Sequence, residues 1–257
     1  MFNKPRLLTP GPTPLPERVR LALAQDMIHH RKPGFKKILL ETETMLQKLF
    51  GTEQPVLPLS CSGTGAMTAA VHGLFLPGET VIVVNGGKFG ERWSKIAAVR
   101  GLKVVEIDVA WGQAVTPAQV EQALREHPEA KGVFMQVCET STAAQHPVEA
   151  IARLTRTREV LLVADGISAV GISPCPMDAW GIDCLLTGSQ KGLMVPPGMA
   201  LMALSARAWK RAESIPVSCF YFNLAGEGSG SVLDHQLRLN SSQVLEMNDK
   251  QIPTGRL

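Results

Sequence analysis

The sequence predicts an α/β domain built around a mostly parallel sheet, with helices on both of its faces. Three observations carry that prediction. From Val56 onward, short apolar runs alternate with segments of helical periodicity. The runs, such as V-I-V-V at 81–84 and L-L-V-A at 161–164, are apolar throughout, as strands are when both faces of a sheet are covered. The residues just after them are small, polar and glycine-rich, which suits the end of such a sheet where ligands bind.

In chain order, Pro5, Pro10, Pro12, Pro14, Pro16 and Gly11 predict an extended arm over residues 1–16, because proline fixes φ and removes donors. Val19, Leu21, Leu23, Ala24 and Ile28 predict a helix over 17–28, broken at 29–34. Ile38, Leu39, Met45, Leu46 and Leu49 share one face of a second helix over 35–50, which stops at Gly51. The alternation then places strands at 56–59, 80–84, 103–107, 132–137, 160–164, 182–186 and 199–204. Helices fall at 63–74, 89–100, 116–126 and 148–156, the third opened by Thr116-Pro117 and the second closed by Gly101. Residues 17–224 read as one large domain, and 225–257 as a Gly/Ser-rich, then polar, weakly patterned tail.

Composition excludes several function classes. The net charge of +3, with no Lys/Arg run, argues against nucleic acid, and a single tyrosine among few aromatics argues against a base-stacking surface. The N-terminus shows no apolar core of signal-peptide length, and no apolar run reaches the roughly 20 residues that span a bilayer. The expectation is a cytoplasmic protein that meets no membrane. Cys61, Cys138, Cys175, Cys184 and Cys219 are odd in number and form no C-x-x-C pair, which favours reduced thiols over a metal site.

The candidate chemistry lies after the predicted strands. Lys191, in T-G-S-Q-K-G-L-M-V-P-P-G, sits between small polar residues and an apolar turn, and Asp165 closes V-L-L-V-A-D. An amine that forms an imine and an acid that keeps a ring nitrogen protonated are the equipment for pyridoxal 5'-phosphate. Taken singly, Lys191 also reads as a surface lysine and Asp165 as a helix cap. Ser62-Gly63-Thr64-Gly65 has the character of a phosphate cup at a helix N-terminus, and equally that of a plain strand-to-helix turn. It matches neither G-x-x-x-x-G-K-[ST] nor G-x-G-x-x-G, which disfavours ATP and dinucleotides. Phe89 suits either a ring-stacking role or a core one. Thr140 and Ser141 suit either a hydrogen bond to a ring hydroxyl or capping of the following turn.

Together these pieces resemble the class V aminotransferases of fold type I, specifically the serine/alanine–glyoxylate group. The motifs are L-L-T-P-G-P-T-P at 7–14, H-R-K-P-G-F at 30–35, S-G-T-G-A-M at 62–67, N-G-G-K-F-G-E-R at 85–92, E-T-S-T at 139–142, D-G-I-S-A-V-G at 165–171 and G-S-Q-K-G at 188–192. The resemblance implies the fold type I large domain and a pyridoxal-phosphate aminotransferase that takes a small amino acid and a 2-oxo acid. It implies Lys191 as Schiff-base lysine, Asp165 at the pyridine nitrogen, and Gly63, Thr64 and Gln190 around the phosphate, with Ser62 opening that cup. It further implies Phe89 and Ile167 on the two ring faces, Thr140 near the ring hydroxyl, Gly11 approaching the substrate pocket, and a homodimer.

Two departures stand out. Ala143 follows E-T-S-T where the family commonly has glycine. Residues 225–257 do not read as the family's small C-terminal domain, and nothing around Arg238 or Arg256 matches its substrate-carboxylate arginine. The expectation is a large domain without that small domain, either active or an impaired fragment. A related lyase or desulfurase is disfavoured by Gln190, because those relatives typically place histidine directly before the lysine.

Overall fold

A computed structural model describes residues 7–227. The tail expected at 225–257 therefore lies almost wholly outside the described residues, as does the start of the arm at 1–6. From Leu7 to Pro16 the chain carries no helix or strand, as the prolines require.

Two helices follow, α1 (Glu17–Leu23) and α2 (Pro33–Phe50). α1 is shorter than the predicted 17–28: it has no side-chain cap and buries no residue, so nothing within the described residues stabilises further turns. α2 begins two residues before the predicted Phe35, because Pro33 is suited to a first turn. It ends at Gly51, whose left-handed backbone (φ 61°) returns N–H bonds to the last turn. The alternation then gives β1 (Val56–Leu59), α3 (Gly63–Leu74), β2 (Thr80–Asn85), α4 (Lys88–Arg100), β3 (Lys103–Asp108), α5 (Pro117–Glu126) and β4 (Gly132–Gln136). A two-residue ribbon, β5 (Cys138–Glu139) with β6 (Ala144–Gln145), precedes α6 (Val148–Arg156), β7 (Leu161–Asp165), α7 (Met177–Trp180), β8 (Cys184–Gly188), β9 (Ala200–Leu204), α8 (Ala206–Ser214) and α9 (Leu224–Glu227). The predicted helix over 116–126 forms with a reciprocal cap between Thr116 and Gln119.

The large sheet has the order β1-β9-β8-β7-β4-β2-β3. Pairs β2–β3, β2–β4, β4–β7 and β7–β8 are parallel, while β9 is antiparallel to both β8 and β1. Six strands thus share one direction, and β9 alone runs against them. Alternation along each strand feeds two cores. Ile82, Val84, Val133, Met135, Leu162 and Ala164 pack with residues of α5 and α6. Val81, Val83, Phe134 and Val163 pack with α3, α4 and α8. Each fully buried aliphatic or aromatic side chain contributes about 2 kcal/mol, so this double-sided burial holds the layers together.

β8 lies two residues later than the predicted 182–186. Asp183, just before it, is buried and accepts hydrogen bonds from the Leu162 N–H (2.9 Å), the Ser205 hydroxyl (2.9 Å) and the Arg207 guanidinium. That staple holds the N-terminal ends of β7 and β8 against α8. It fixes where Asp165 and Lys191 emerge at the opposite edge.

Candidate active site

Because six strands run the same way, the loops after β1, β2, β4, β7 and β8 converge on one edge of the sheet. Ser62 to Thr64, Phe89, Glu139 to Ser141, Asp165 to Ser168 and Ser189 to Lys191 are all on those loops or at the helix ends they feed.

The turn after β1 forms the N-terminus of the 12-residue α3. Ser62 is the N-cap, and its hydroxyl accepts the Gly65 N–H at 3.4 Å. The N–H groups of Gly63 and Thr64 have no acceptor among the described residues, which leaves the helix end with donors and partial positive charge for an anion. Gly63 is needed for packing: a methyl on its α-carbon would lie 2.2 Å from Ile167 Cδ1. Ile167 is buried against this turn.

Thr64 Oγ1 accepts a hydrogen bond from Arg92 Nη1 at 2.9 Å, and the Arg92 guanidinium lies 4.8 Å from the centre of the Phe89 ring. Phe89 is at the start of α4, where the buried Glu139 carboxylate accepts the Phe89 and Gly90 N–H groups, each at 3.1 Å. Glu139 also accepts the Ser141 hydroxyl at 2.6 Å and the Ser141 N–H at 3.1 Å. A carboxylate at a helix N-terminus is favourably placed, and this one ties α4 to the ribbon after β4. Thr140 is hydrogen-bonded to Ser168 at 2.5 Å, which joins that ribbon to the loop after β7.

Asp165, the last residue of β7, is buried. Its Oδ1 accepts the Ile167 N–H at 2.8 Å, and Oδ2 has no hydrogen bond. Burial pushes its pKa up to about 7, the Ile167 N–H opposing; nearby Glu139 adds to the rise, while Arg92 and Lys191 counter it. Lys191 is half-buried, and its Nζ makes no hydrogen bond or ion pair among the described residues. Burial lowers its pKa, with Asp165 pulling the other way. Both groups are thus shifted toward their neutral forms.

The arm reaches this lysine. The Thr13 N–H donates to the Gln190 carbonyl at 3.0 Å, and the Thr13 hydroxyl donates to the Lys191 carbonyl at 3.0 Å. Gly11 lies against the lysine side chain, where an added methyl would sit 2.4 Å from Cδ and 3.0 Å from Nζ.

The candidate residues therefore gather in three groups: Gly63 with Ile167, Thr64 with Phe89 through Arg92, and Gly11 with Lys191, which is electrostatically coupled to Asp165. Gln190 contributes its carbonyl, while its side chain folds back toward Gly188 and makes no hydrogen bond among the described residues. Thr13 and Arg92 were not singled out from the sequence, and Glu139 and Ser168 stood among the residues after the strands with no role of their own. The motif N-G-G-K-F-G-E-R contained Arg92 and E-T-S-T contained Glu139, so a charged residue beside each candidate was the available signal. No cluster of His, Cys, Asp or Glu among the described residues is arranged to hold a metal ion, and no helix among them is long and apolar enough to cross a membrane.

A lysine and a carboxylate thus gather beside a helix N-terminus at the C-terminal edge of a mostly parallel sheet, the edge where ligands bind in α/β domains. The chain belongs to the class V aminotransferase family, whose model matches residues 11–236. It is 36% identical over 227 residues to the soluble hydrogenase small subunit of Synechococcus sp. (strain PCC 6716), covering 87% of this chain and 59% of that one. It is 34% identical to the serine–glyoxylate aminotransferase of Methylorubrum extorquens, covering 80% of this chain and 53% of the relative. Among solved structures, alanine–glyoxylate aminotransferase from Nostoc sp. superposes with a TM-score of 0.83 at 30% identity, covering 95% of this chain and 70% of that one. Aspartate aminotransferase from Thermus thermophilus superposes with a TM-score of 0.80 at 36% identity, over 95% and 70% of the two chains. These likenesses bear out the fold type I architecture. The chain spans 59% of the length of the Synechococcus relative.

Proposed function

We propose that residues 17–224 are the cofactor-binding domain of a pyridoxal-phosphate-dependent aminotransferase, with the described part of the arm, Gly11 and Thr13, lying against Lys191. The reaction moves the amino group of a small amino acid, serine or alanine, to a 2-oxo acid such as glyoxylate or pyruvate. The family to which the chain belongs supports this reading, as do the glyoxylate aminotransferases it resembles. The observation that carries it is the unbonded Lys191 Nζ, half-buried and electrostatically coupled to the buried Asp165. A homodimer in the cytoplasm is part of the proposal.

The residues fit pyridoxal 5'-phosphate on the chemistry of their donors. The free Gly63 and Thr64 N–H groups offer an anion site, Asp165 Oδ2 offers an acceptor, and the Lys191 amine lacks a partner. When bound, the cofactor supplies an electron sink for the α-carbon of the amino acid. Thr64 and the α3 N-terminus hold its phosphate. Asp165 holds a proton at the pyridine nitrogen, and its low-dielectric surroundings strengthen that pairing. Lys191, whose lowered pKa leaves more free amine near neutrality, would hold the cofactor and move a proton at the α-carbon. Phe89 and Ile167 would exclude water from the ring, and Thr140, held by Ser168, would orient the ring hydroxyl.

The test is to incubate the purified chain with pyridoxal phosphate, reduce with borohydride and map the labelled peptide. Label on Lys191, followed by transfer from serine or alanine to glyoxylate, is the expected result. No label on Lys191 overturns the proposal. Label without transfer from any amino acid identifies a chain that holds the cofactor without turning over.

A further inference from the structure

Gln136 is the last residue of β4 and is fully buried, yet neither its Oε1 nor its Nε2 has a hydrogen-bond partner. Buried amides are almost always paired, so one sealed in without a partner calls for a specific reason. Its position supplies one. In the β4–β7 register Gln136 is the direct partner of Asp165, and the Val137 N–H donates to the Asp165 carbonyl at 2.8 Å, which fixes that register. Two residues earlier, Phe134 and Val163 are also partners and both pack in the core formed with α3 and α4. Since strand side chains alternate, Gln136 and Asp165 project from that same face. Directly paired positions on one face have β-carbons about 5 Å apart, so the amide of a glutamine reaches a neighbouring carboxylate by side-chain rotation alone.

We propose that Gln136 is a positioning residue for Asp165: its amide N–H turns onto the unbonded Oδ2 and holds the carboxylate ionised and correctly tilted when a cationic ring nitrogen is bound. This rests on the pyridoxal-phosphate reading above. The division of labour is then complete, with the Ile167 N–H on Oδ1 and the Gln136 amide sharing Oδ2 with the ligand. The charged groups that act on Asp165 from the surrounding elements are Glu139 after β4, Arg92 on α4 and Lys191 after β8. Glu139 is occupied by four donors, Arg92 is turned to Thr64, and Lys191 is needed for the cofactor itself. Gln136 is the uncharged donor among these neighbours, fully buried and with both amide atoms unpartnered.

The experiment measures the dissociation constant of pyridoxal phosphate against pH, by fluorescence, for the parent protein and for Gln136→Leu and Gln136→Met. Thermal melts of the ligand-free proteins run alongside. The ligand-free variants are expected to melt no lower than the parent, because removing a sealed amide costs the core no hydrogen bond. Their affinity is expected to fall about tenfold at neutral pH. The pH at which binding is lost is expected to rise by about one unit, since a carboxylate that loses a donor to its ionised form takes up a proton more readily. A packing role alone leaves that midpoint in place, so an unchanged midpoint in a folded variant overturns the inference while leaving the cofactor reading intact. The methionine variant decides the matter if the leucine does not fold. A parent that takes no pyridoxal phosphate on Lys191 overturns both.

Discussion

Gly11 and Lys191 touch. A methyl on the Gly11 α-carbon would lie 2.4 Å from Lys191 Cδ, far inside van der Waals contact. Gly11 does not have a positive φ, so glycine is required there for room. Gly11→Ala must therefore push the lysine side chain aside or lift the arm from the two carbonyls that Thr13 holds. The expected outcome is at least a tenfold fall in cofactor fixed to Lys191 by borohydride. The melting temperature should shift by less than about 2 °C, because the arm adds little to the core. A variant that loads like the parent would show that the arm does not shape the lysine's position.

Asp165 makes the ligand-free protein sensitive to pH in an unusual direction. Its pKa is raised from 3.8 to about 7 in the folded chain, so the native state binds this proton more tightly than the unfolded state. Its contribution to stability is therefore fully present below about pH 4 and is lost as pH rises through about 7. The size of the loss is a few kcal/mol. Asp165→Asn removes the titration. Urea unfolding at a series of pH values should show the parent losing stability relative to the variant between pH 4 and 7. Curves that stay parallel across that window would refute the burial argument.

What the sequence revealed follows from how far apart the interacting residues are. Thr116-Pro117, Gly51 and Gly101 mark helix ends by local backbone chemistry, and the structure places those ends there. The central strand runs were legible because burial on both faces leaves them apolar throughout, whereas the edge strand β3, K-V-V-E-I-D, is largely exposed and mixed. The direction of β9 was not legible, since A-L-M-A-L pairs equally well either way. Helix α8 was missed although its signal was present: Ser205 caps it, and Ala208, Trp209 and Ala212 share one buried face. In the site, Asp165 and Lys191 announced themselves by their place after a strand. Thr13 joins residues 177 and 178 positions away, and Arg92 meets Thr64 across 28, contacts that no local pattern encodes.

Glu139 does more than accompany its motif. Its carboxylate is fully buried and accepts from two N–H groups of α4, one of its own ribbon and one hydroxyl. Glu139→Ala takes the acceptor from those donors, the buried Gly90 N–H among them, which costs roughly 2–4 kcal/mol by analogy with other charge-assisted bonds. Urea denaturation should report that loss. Because Phe89 is one of the residues held, pyridoxal phosphate should also bind more weakly even where the variant remains folded. A destabilised variant with unchanged affinity would show that Phe89 is fixed by other contacts.

Ala143 offers the reverse case, a place where the chain carries strain it can shed. It stands in the turn between β5 and β6 with φ 58°, in the left-handed region that costs a residue with a β-carbon about 1–2 kcal/mol. The family's usual glycine avoids that penalty, although it brings a more flexible unfolded chain, which takes back part of the gain. Ala143→Gly should therefore stabilise the protein by roughly 1 kcal/mol net and raise its melting temperature by about 2–4 °C. Its neighbour provides the control. Ala144 is buried in β6, so Ala144→Gly loses packing and stiffness together and should destabilise by about 1 kcal/mol. Two adjacent substitutions to glycine with opposite signs are what backbone strain at Ala143 requires, and matching losses would place the relaxed conformation at Ala143 instead.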